Sequence, residues 1–376
     1  MDLCRRRVCL GGRFVNRAGR LLCVGLRGAE PGADLLEADL EACRRAGVGG
    51  VILFDVDVPT LRRLERQGVD PEDARRRAVR NILDPDQLGR LVVRIREVLG
   101  EDVFVAIDQE GGQVARLTSR RGFRDDPSAS EFAALEEERR RQSATNQAEQ
   151  LARFGIDLNF APCVDLDFGE ANPIIGRLGR AYAADPAEVA ACARISIAAH
   201  RMAGVASCLK HFPGHGSSRA DSHLGAVDIT GTWDRDRELA PYRDLATEEG
   251  VAVMVAHVAH RGLDAELPAS LSPVVIGDLL RADIGFNGVV VTDSIDMRAV
   301  ADLHDPGEAA VQAVRAGADF VIDGFNLDDR TEHPAPALAA ALAEGLGDGR
   351  IAGGAHRLEE SLERLALLRR QIGTDR

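Results

Sequence analysis

Residues 186–211, PAEVAACARISIAAHRMAGVASCLKH, carry the pattern that decides the fold. Residues 186–203 mix small, apolar and polar side chains as an amphipathic helix does, and a short apolar run follows over 205–209. A bounded run of this length is typical of a fully buried strand. Two polar side chains, Lys210 and His211, come directly after it. The stretch therefore predicts a helix that leads into a buried strand whose carboxyl end bears reactive groups.

The same alternation of strand and helix recurs along the chain. Strands are predicted over residues 21–26, 51–54, 103–107, 157–161, 205–209, 251–256, 288–292 and 320–322. Helices are predicted over residues 33–46, 85–99, 130–154, 186–203, 236–249, 273–282, 308–316, 334–346 and 356–371. Eight strands that alternate with helices indicate an α/β protein with a parallel sheet, and the count favours a closed (β/α)8 barrel of the TIM type. A doubly wound open sheet is the alternative, but the Gly-x-Gly-x-x-Gly that would favour it does not follow the first strand.

The chain has neither internal repeats nor a low-complexity linker, so residues 1–376 are predicted to form a single barrel domain. Residues 58–80 are polar and rich in arginine. We interpret them as a variable insertion after the second strand, either a surface loop or a short solvated helix. Residues 356–376 are predicted to hold the C-terminal helix that closes the chain.

Composition excludes several classes of function. The net charge is −13, and no basic patch is interleaved with aromatic residues, so nucleic acid is not an expected partner. The seven cysteines are scattered, several of them in apolar runs, and form no Cys-x-x-Cys pair, which favours small buried residues over disulfides or zinc ligands. No stretch approaches the ~18 apolar residues of a membrane span, and no signal-peptide core follows the N-terminal arginines. We therefore predict a cytoplasmic protein; no oligomeric state is predicted.

Lys210 is the one lysine among the 47 lysine and arginine residues. A lysine retained in a chain that otherwise uses arginine indicates a compact ammonium group in a small polar pocket, because the planar arginine fork does not replace it there. The apolar run before Lys210 argues against the alternative of a chance surface position. The segment that follows, KHFPGHGSSRADSH at 210–223, is the part of the chain richest in chemically capable side chains.

Polar side chains follow six of the predicted strands, at the point where each strand ends. They are Asp108 after strand three, Asp165 after strand four, Lys210 and His211 after strand five, His257 after strand six, Asp293 after strand seven and Asp323 after strand eight. In a barrel these ends converge on one mouth, where the active sites of this fold lie. For Asp165 and Asp323, a role as a helix cap or loop-fixing acceptor is the alternative.

A mouth with carboxylates, a lysine, arginines and histidines suits a polyhydroxylated substrate, because sugar hydroxyls need many directional donors and acceptors. Asp293 projects from an apolar strand and is placed to act as a nucleophile, and retaining glycoside hydrolysis needs such a group together with a proton donor. Asp221 and His223 are two residues apart, so they face the same way in an extended segment, and the carboxylate would orient the imidazole as that donor. A solvated loop histidine is the alternative for His223.

Eight stretches carry a resemblance to a known family. They are VILF at 51–54, IDQEGGQVARL at 107–117, NFAP at 159–162, RAYAADP at 180–186, KHFPGHG at 210–216 with DSH at 221–223, AH at 256–257, PASLS at 268–272 and GFNGVVVTDSIDM at 285–297. Together they resemble glycoside hydrolase family 3, in its single-barrel β-N-acetylglucosaminidase (β-N-acetylhexosaminidase) branch.

The resemblance implies a role for each site residue. Asp293 would be the nucleophile and His223 the general acid/base, with Asp221 as its partner. Substrate would be bound by Asp108, Arg116, Arg180, Lys210 and His211, and also by His257, which ends strand six. The implied reaction is the retaining removal of terminal non-reducing β-linked N-acetylglucosamine from oligosaccharides or cell-wall muropeptide fragments. The resemblance also implies a cytoplasmic enzyme of peptidoglycan recycling that uses neither a metal nor an organic cofactor.

Three features depart from the family pattern, and all of them concern the part of the substrate beyond the cleaved sugar. They are the insertion at 58–80, the presence of Arg177 three residues before Arg180, which makes Arg177 the alternative to Arg180, and the sequence DGFN at 323–326 after strand eight.

Several alternatives to this function remain. A metal-dependent barrel hydrolase usually has a His-x-His pair after strand one. Residues 25–28 read GLRG and contain no histidine, which argues against this alternative. A non-catalytic sugar-binding barrel has no need of Asp293 or His223, and both are present. A family member that acts on β-glucosides is a further alternative. Phosphate as acceptor in place of water also stays open, because a histidine donor avoids the repulsion between a carboxylate and an anion.

Overall fold

A computed structural model describes residue 12 and residues 14–220 and 225–373, and a barrel of eight parallel strands forms within this part of the chain. The strands are β1 (Leu22–Gly25), β2 (Gly50–Leu53), β3 (Phe104–Ile107), β4 (Leu158–Asn159), β5 (Ala206–Phe212), β6 (Val251–Val255), β7 (Val290–Thr292) and β8 (Val321–Asp323). From β1 to β7 each strand pairs with the next in chain order, and β8 pairs with β1. The predicted (β/α)8 barrel is confirmed, and the open doubly wound sheet is excluded.

The barrel closes between β7 and β8 through a short stretch of pairing. Val291 lies opposite Phe320, Thr292 N donates to Phe320 O at 3.0 Å, and Asp319 N donates to Val290 O at 2.8 Å. Every residue of the eight strands is buried. This burial explains why the strands were visible as continuous apolar runs, since parallel strands are covered on both faces.

The helices surround the barrel. Besides a helical stretch at residues 14–19, they are α1 (Asp34–Ala46), α2 (Val58–Arg66), α3 (Pro71–Arg77), α4 (Pro85–Leu99), α5 (Ala129–Ala133), α6 (Glu137–Arg153), α7 (Pro186–Met202), α8 (Arg235–Glu238), α9 (Ala240–Leu245), α10 (Val274–Asp283, which has π-helical hydrogen bonding), α11 (Arg298–Ala301), α12 (Pro306–Ala316), α13 (Ala335–Asp348) and α14 (Ala355–Gln371). Two short strands, Val227–Asp228 and Val258–Ala259, pair outside the barrel sheet. No helix in the described part of the chain has both the length and the apolar character needed to cross a membrane.

The helices predicted over 130–154 and 236–249 are each divided in two. In the first case a capping box at Ser128 starts α5, and Arg140 of α6 folds back to donate to the carbonyl oxygens of Ala133 and Leu135. The arginine thus satisfies backbone acceptors that a continuous helix would have paired internally. An amphipathic pattern alone does not reveal such a break.

The C-terminal helix α14 is attached to the barrel through Asp319, which precedes β8 and is fully buried. Arg357, Ser361 and Arg364 of α14 donate to Asp319 Oδ1 at 3.2, 2.7 and 3.0 Å. Arg281 of α10 donates to the other oxygen at 2.6 Å. Burial alone would raise the pKa of Asp319, but the three arginines hold it below its usual range. Helix and strand are therefore linked by charge as well as by packing.

Residues 58–80 differ from the predicted loop or single solvated helix, because α2 and α3 form a helical hairpin. Its two ends meet where Val56 pairs with Val79. Leu64, Ala74 and Ala78 pack with Val56 in a small apolar core of their own. The sequence pattern did not predict this hairpin, because arginines outnumber the few apolar residues that form its core.

Candidate active site

A cavity of about 380 Å³ opens at the carboxyl ends of the barrel strands. Six residues predicted from the sequence line it: Asp108, Arg116, Arg180, Lys210, His211 and Asp293. Its floor is apolar and includes Phe160, Met254 and Ile322, all buried. Because the active sites of this fold lie at this face of the barrel, the cavity is the candidate active site.

Lys210 lies at the centre of a buried ion-pair network. Its Nζ is 2.8 Å from Asp108 Oδ1 and 2.8 Å from Glu110 Oε1, and its side chain is only 3% exposed. Burial alone would lower the pKa of Lys210, but the two carboxylates raise it, so the ammonium stays charged. An ammonium has three donors. Two of them are taken up by these carboxylates, and Lys210 is itself part of the lining of the cavity.

Two arginines complete the network, one on each carboxylate. Arg180 binds Glu110 in a bidentate manner, with Nε 2.8 Å from Oε2 and Nη2 2.7 Å from Oε1. Burial would raise the pKa of Glu110, but Arg180 and Lys210 hold it well below its usual range. Arg116 Nη2 lies 3.3 Å from Asp108 Oδ2. The cavity therefore has a wall of fixed, alternating charges, in which ionised carboxylates accept and cations donate.

Asp165 fixes the orientation of His211. Its Oδ2 is 2.6 Å from His211 Nδ1, and its Oδ1 accepts a hydrogen bond from the His215 backbone N at 2.7 Å. Burial would raise the pKa of Asp165, but the neighbouring histidines lower it to about 2. The Nε2 atom of His211 in turn lies 3.2 Å from Arg180 Nη2. Asp165 is thus a loop-fixing acceptor, which was the alternative role predicted for it. It also positions His211, which lines the cavity.

Asp293 follows β7, and its carboxylate is held in the turn that begins there. Its Oδ1 accepts from the Ser294 backbone N at 2.8 Å, and its own backbone N donates to Val255 O at 2.9 Å. Ser294 Oγ donates to Asp296 Oδ1 at 2.6 Å. Burial and the neighbouring Asp323 raise the pKa of Asp296 to about 6. The turn thus brings the carboxylates of Asp293 and Asp296 to one side of the cavity.

His257 lies behind this turn. It is 1% exposed, its Nδ1 is 2.6 Å from Ser270 Oγ, and its Nε2 is 2.9 Å from Ser294 O. The described lining of the cavity does not include His257. Its direct contact with substrate stays a prediction, while its observed contacts support the turn that carries Asp293.

Asp221 and His223 lie outside the described residues. The segment that leads to them is held firmly as far as Ser218. Asn172 Nδ2 donates to the carbonyl oxygens of His215 and Gly216 at 2.7 and 2.8 Å, and Ser217 Oγ donates to Glu238 Oε1 at 2.5 Å. Burial raises the pKa of Glu238 to about 7.

Sequence reasoning missed three acidic residues of this region: Glu110, Asp296 and Glu238. A signal existed for Glu110, because it is two residues after Asp108 and alternation places both on one side of the chain. Asp296 lies in the motif at 285–297, but only Asp293 of that motif was predicted as a site residue. Glu238 lies in a polar stretch, DRDRE at 234–238, with no local sign that it becomes buried.

Cys163, Asp165 and His211 bring a thiol, a carboxylate and an imidazole within 4.8 Å of one another. Asp165 Oδ2 already accepts from Cys163 Sγ at 3.4 Å and lies beside His211 Nδ1. Burial raises the pKa of the Cys163 thiol well above its usual value, whereas a metal ligand is a thiolate. The three groups therefore satisfy one another as a hydrogen-bonded cluster.

The chain belongs to glycosyl hydrolase family 3, because the model of that family's N-terminal domain matches residues 36–366. A beta-hexosaminidase of Tolumonas auensis is 32% identical over 333 residues, which cover 84% of this chain and 90% of that protein. The beta-hexosaminidase LpqI of Mycobacterium tuberculosis is 38% identical over 58% of this chain and 57% of that protein. The resemblance to the family is confirmed.

Solved structures place the whole barrel in the same family. A glycoside hydrolase family 3 beta-N-acetylglucosaminidase from Paenibacillus sp. FPU-7 matches with a TM-score of 0.79 at 32% identity, over 96% of this chain and 63% of that one. LpqI of M. tuberculosis matches with a TM-score of 0.74 at 30% identity, over 94% of this chain and 93% of that one.

Proposed function

We propose that this protein is a retaining β-N-acetylhexosaminidase that removes terminal non-reducing β-linked N-acetylglucosamine from oligosaccharides or cell-wall muropeptide fragments. The observation that carries the proposal is that Asp293 shares one cavity with the charged network around Lys210. The beta-hexosaminidase and beta-N-acetylglucosaminidase relatives support the choice of sugar.

The network around Lys210 binds the sugar in this proposal. Asp108 accepts from hydroxyl groups, and Lys210 and Arg180 donate to them. Because each of these side chains is held by ion pairs before substrate arrives, little reorganisation accompanies binding or the change of charge during reaction. The buried floor of the cavity excludes water from the face of the sugar ring.

The reaction proceeds in two displacements. The Asp293 carboxylate attacks the anomeric carbon, and the bond to the leaving oxygen breaks as His223 gives that oxygen a proton. In the second step His223 takes a proton from water, the water oxygen attacks the same carbon, and Asp293 leaves. Asp221 orients His223 throughout. The two inversions together retain the anomeric configuration.

Trapping of the intermediate tests the role of Asp293. A 5-fluoro glycosyl donor should accumulate as an ester on Asp293, detectable by peptide mass spectrometry, and Asp293→Ala should lose several orders of magnitude in kcat and take up no label. Asp305→Ala serves as a matched control, because Asp305 caps α12 at the surface. Label on another carboxylate, or an inverted anomeric product, contradicts the proposal.

A comparison of leaving groups tests the role of His223. His223→Ala should impair substrates with poor leaving groups far more than activated aryl glycosides, which need little protonation. Asp221→Ala should show a milder form of the same pattern. Equal losses on both classes of substrate would mean that His223 only shapes its loop.

A panel of nitrophenyl β-glycosides, assayed with and without phosphate, tests the sugar and the acceptor. The proposal expects β-N-acetylglucosaminide to be preferred over β-glucoside, with water as the acceptor. A cytoplasmic place in peptidoglycan recycling is part of the same proposal. Fractionation of cells, followed by assay on isolated muropeptides, tests it.

A further inference from the structure

The hairpin formed by α2 and α3 is joined to the segment after β8, so two of the departures from the family pattern, residues 58–80 and 323–326, form one unit. Asn326 Oδ1 accepts from Val58 N at 3.2 Å, and Asn326 Nδ2 donates to Val56 O at 3.0 Å. Arg62 of α2 donates to Leu327 O at 3.0 Å. Each contact connects residues more than 260 positions apart in the chain, so the hairpin is fixed against the barrel at the end of β8.

Arg80 holds the other end of the hairpin. It is 4% exposed and donates to Leu26 O at 2.8 Å, to Asp57 Oδ2 at 2.6 Å and to Phe325 O. Its three partners come from the segment after β1, from the hairpin and from the segment after β8. A single buried guanidinium therefore connects all three, and the hairpin has a defined place beside the cavity.

The hairpin supplies one wall of the cavity that contains Asp293. Val58, Leu61 and Arg75 belong to this wall, and Leu327 adjoins them. Val58, Leu61 and Leu327 are partly buried and Arg75 is exposed, in contrast with the fully buried floor. The wall thus lies toward the opening, where the group beyond the cleaved sugar would leave. It offers that group an apolar surface with one cation at its edge.

Arg75 differs from the two arginines that follow it. Arg76 and Arg77 both pair with Asp73, at 2.6 and 3.5 Å. Within the described part of the chain, the guanidinium of Arg75 has no carboxylate within 4.0 Å. Asp55 also lines the cavity, but its charge acts on Arg121, whose pKa burial lowers and Asp55 raises.

We propose that this wall is the subsite for the leaving group, and that Arg75 selects leaving groups in which an anionic substituent follows an apolar part. The inference rests on the proposed function and adds to it the residue that determines the leaving group. A carboxylate on the leaving group would pair with the guanidinium of Arg75, which has no carboxylate partner among the described residues.

Two substrates with the same sugar test the inference: the β-N-acetylglucosaminides of 4-(carboxymethyl)phenol and of its methyl ester. The methylene group insulates the phenol from the charge, so the two leaving groups differ little in reactivity. The kcat/KM ratio of acid to ester is the readout. We expect the wild-type ratio to exceed one by roughly two- to fivefold, as for an exposed ion pair, and to fall toward one at high ionic strength.

The variants Arg75→Gln, Arg75→Lys and Arg76→Gln complete the test. Arg75→Gln should bring the acid-to-ester ratio to one, Arg75→Lys should keep most of the preference, and Arg76→Gln should keep the wild-type ratio. A wild-type ratio of one or below, or a preference that survives Arg75→Gln, overturns the inference. Failure to hydrolyse either substrate instead contradicts the proposed function, so the two failures are distinguishable.

Discussion

Replacing Lys210 by methionine removes one charge from the centre of the cavity while keeping a side chain of similar length. In the wild-type protein this charge faces Asp108 and Glu110, each at 2.8 Å from the ammonium. After the replacement, Asp108 keeps Arg116 as its partner and Glu110 keeps Arg180. In the variant, each of the two carboxylates therefore loses one of its two cationic partners and keeps the other.

The contacts set the size of the effect. Removal of one partner from a buried ion pair costs about 3–5 kcal/mol. The remaining arginines favour the lower end, so we expect the free energy of unfolding to fall by about 3 kcal/mol. A lost charged donor to a sugar hydroxyl costs about 2–3 kcal/mol in transition-state binding, which is roughly 30- to 150-fold in kcat/KM.

Urea unfolding at neutral pH and kcat/KM on an aryl β-N-acetylglucosaminide measure the two effects on the same preparation. Arg194→Met is the matched control, because Arg194 pairs with Glu248 at 2.8 Å while 48% and 30% exposed, where a pair contributes about 0–1 kcal/mol. Lys210→Arg should be nearly as inactive as Lys210→Met, since the larger guanidinium displaces Asp108 or Glu110. An active Lys210→Arg, or a Lys210→Met as stable as the control, refutes the reasoning.

Three further predictions concern other buried charges. Arg80→Gln should lower the free energy of unfolding by about 3 kcal/mol in urea titrations, because Asp57 loses its buried partner. Asp319→Asn should cost a similar amount and leave α14 more open to amide hydrogen exchange than α1, since three arginines lose their shared carboxylate. Burial raises the pKa of Glu238 to about 7, above its value in the unfolded chain. The native state therefore retains a proton that the unfolded state has lost, and this stabilisation is complete below about pH 4.3 and declines as the pH rises toward 7; Glu238→Gln should flatten that decline.

The sequence predicted the fold because strand burial leaves a local trace. Eight apolar runs mark strands covered on both faces, and the polar residues that follow six of these runs mark the mouth of the barrel. The prediction fails where the apolar pattern is short or interrupted by charged residues. β4 is limited to Leu158–Asn159 and the hairpin α2–α3 is hidden among arginines, because long-range contacts decide both.

Six of the residues predicted for the site line one cavity, but the sequence did not indicate how they pair with one another. The rarity of lysine pointed to Lys210, and the motifs pointed to Asp293, yet no local pattern shows that Glu110 bridges Lys210 and Arg180. For the same reason the contribution of Lys210 to stability was not foreseen. Residue types indicate chemistry, whereas the sharing of one carboxylate by two cations arises only when distant segments meet.

The attachment of α14 to Asp319 has a consequence for synthesis of the chain. The ribosome delivers β8 before α14, so Asp319 emerges when Arg281 is already present but Arg357 and Arg364 are not. A nascent chain at this stage must either bury a carboxylate with one of its three cations or leave the β7–β8 seam exposed to water. We therefore expect the contact between β7 and β8 to stay incomplete until α14 leaves the ribosome, so that the barrel is completed only after this helix has been synthesised.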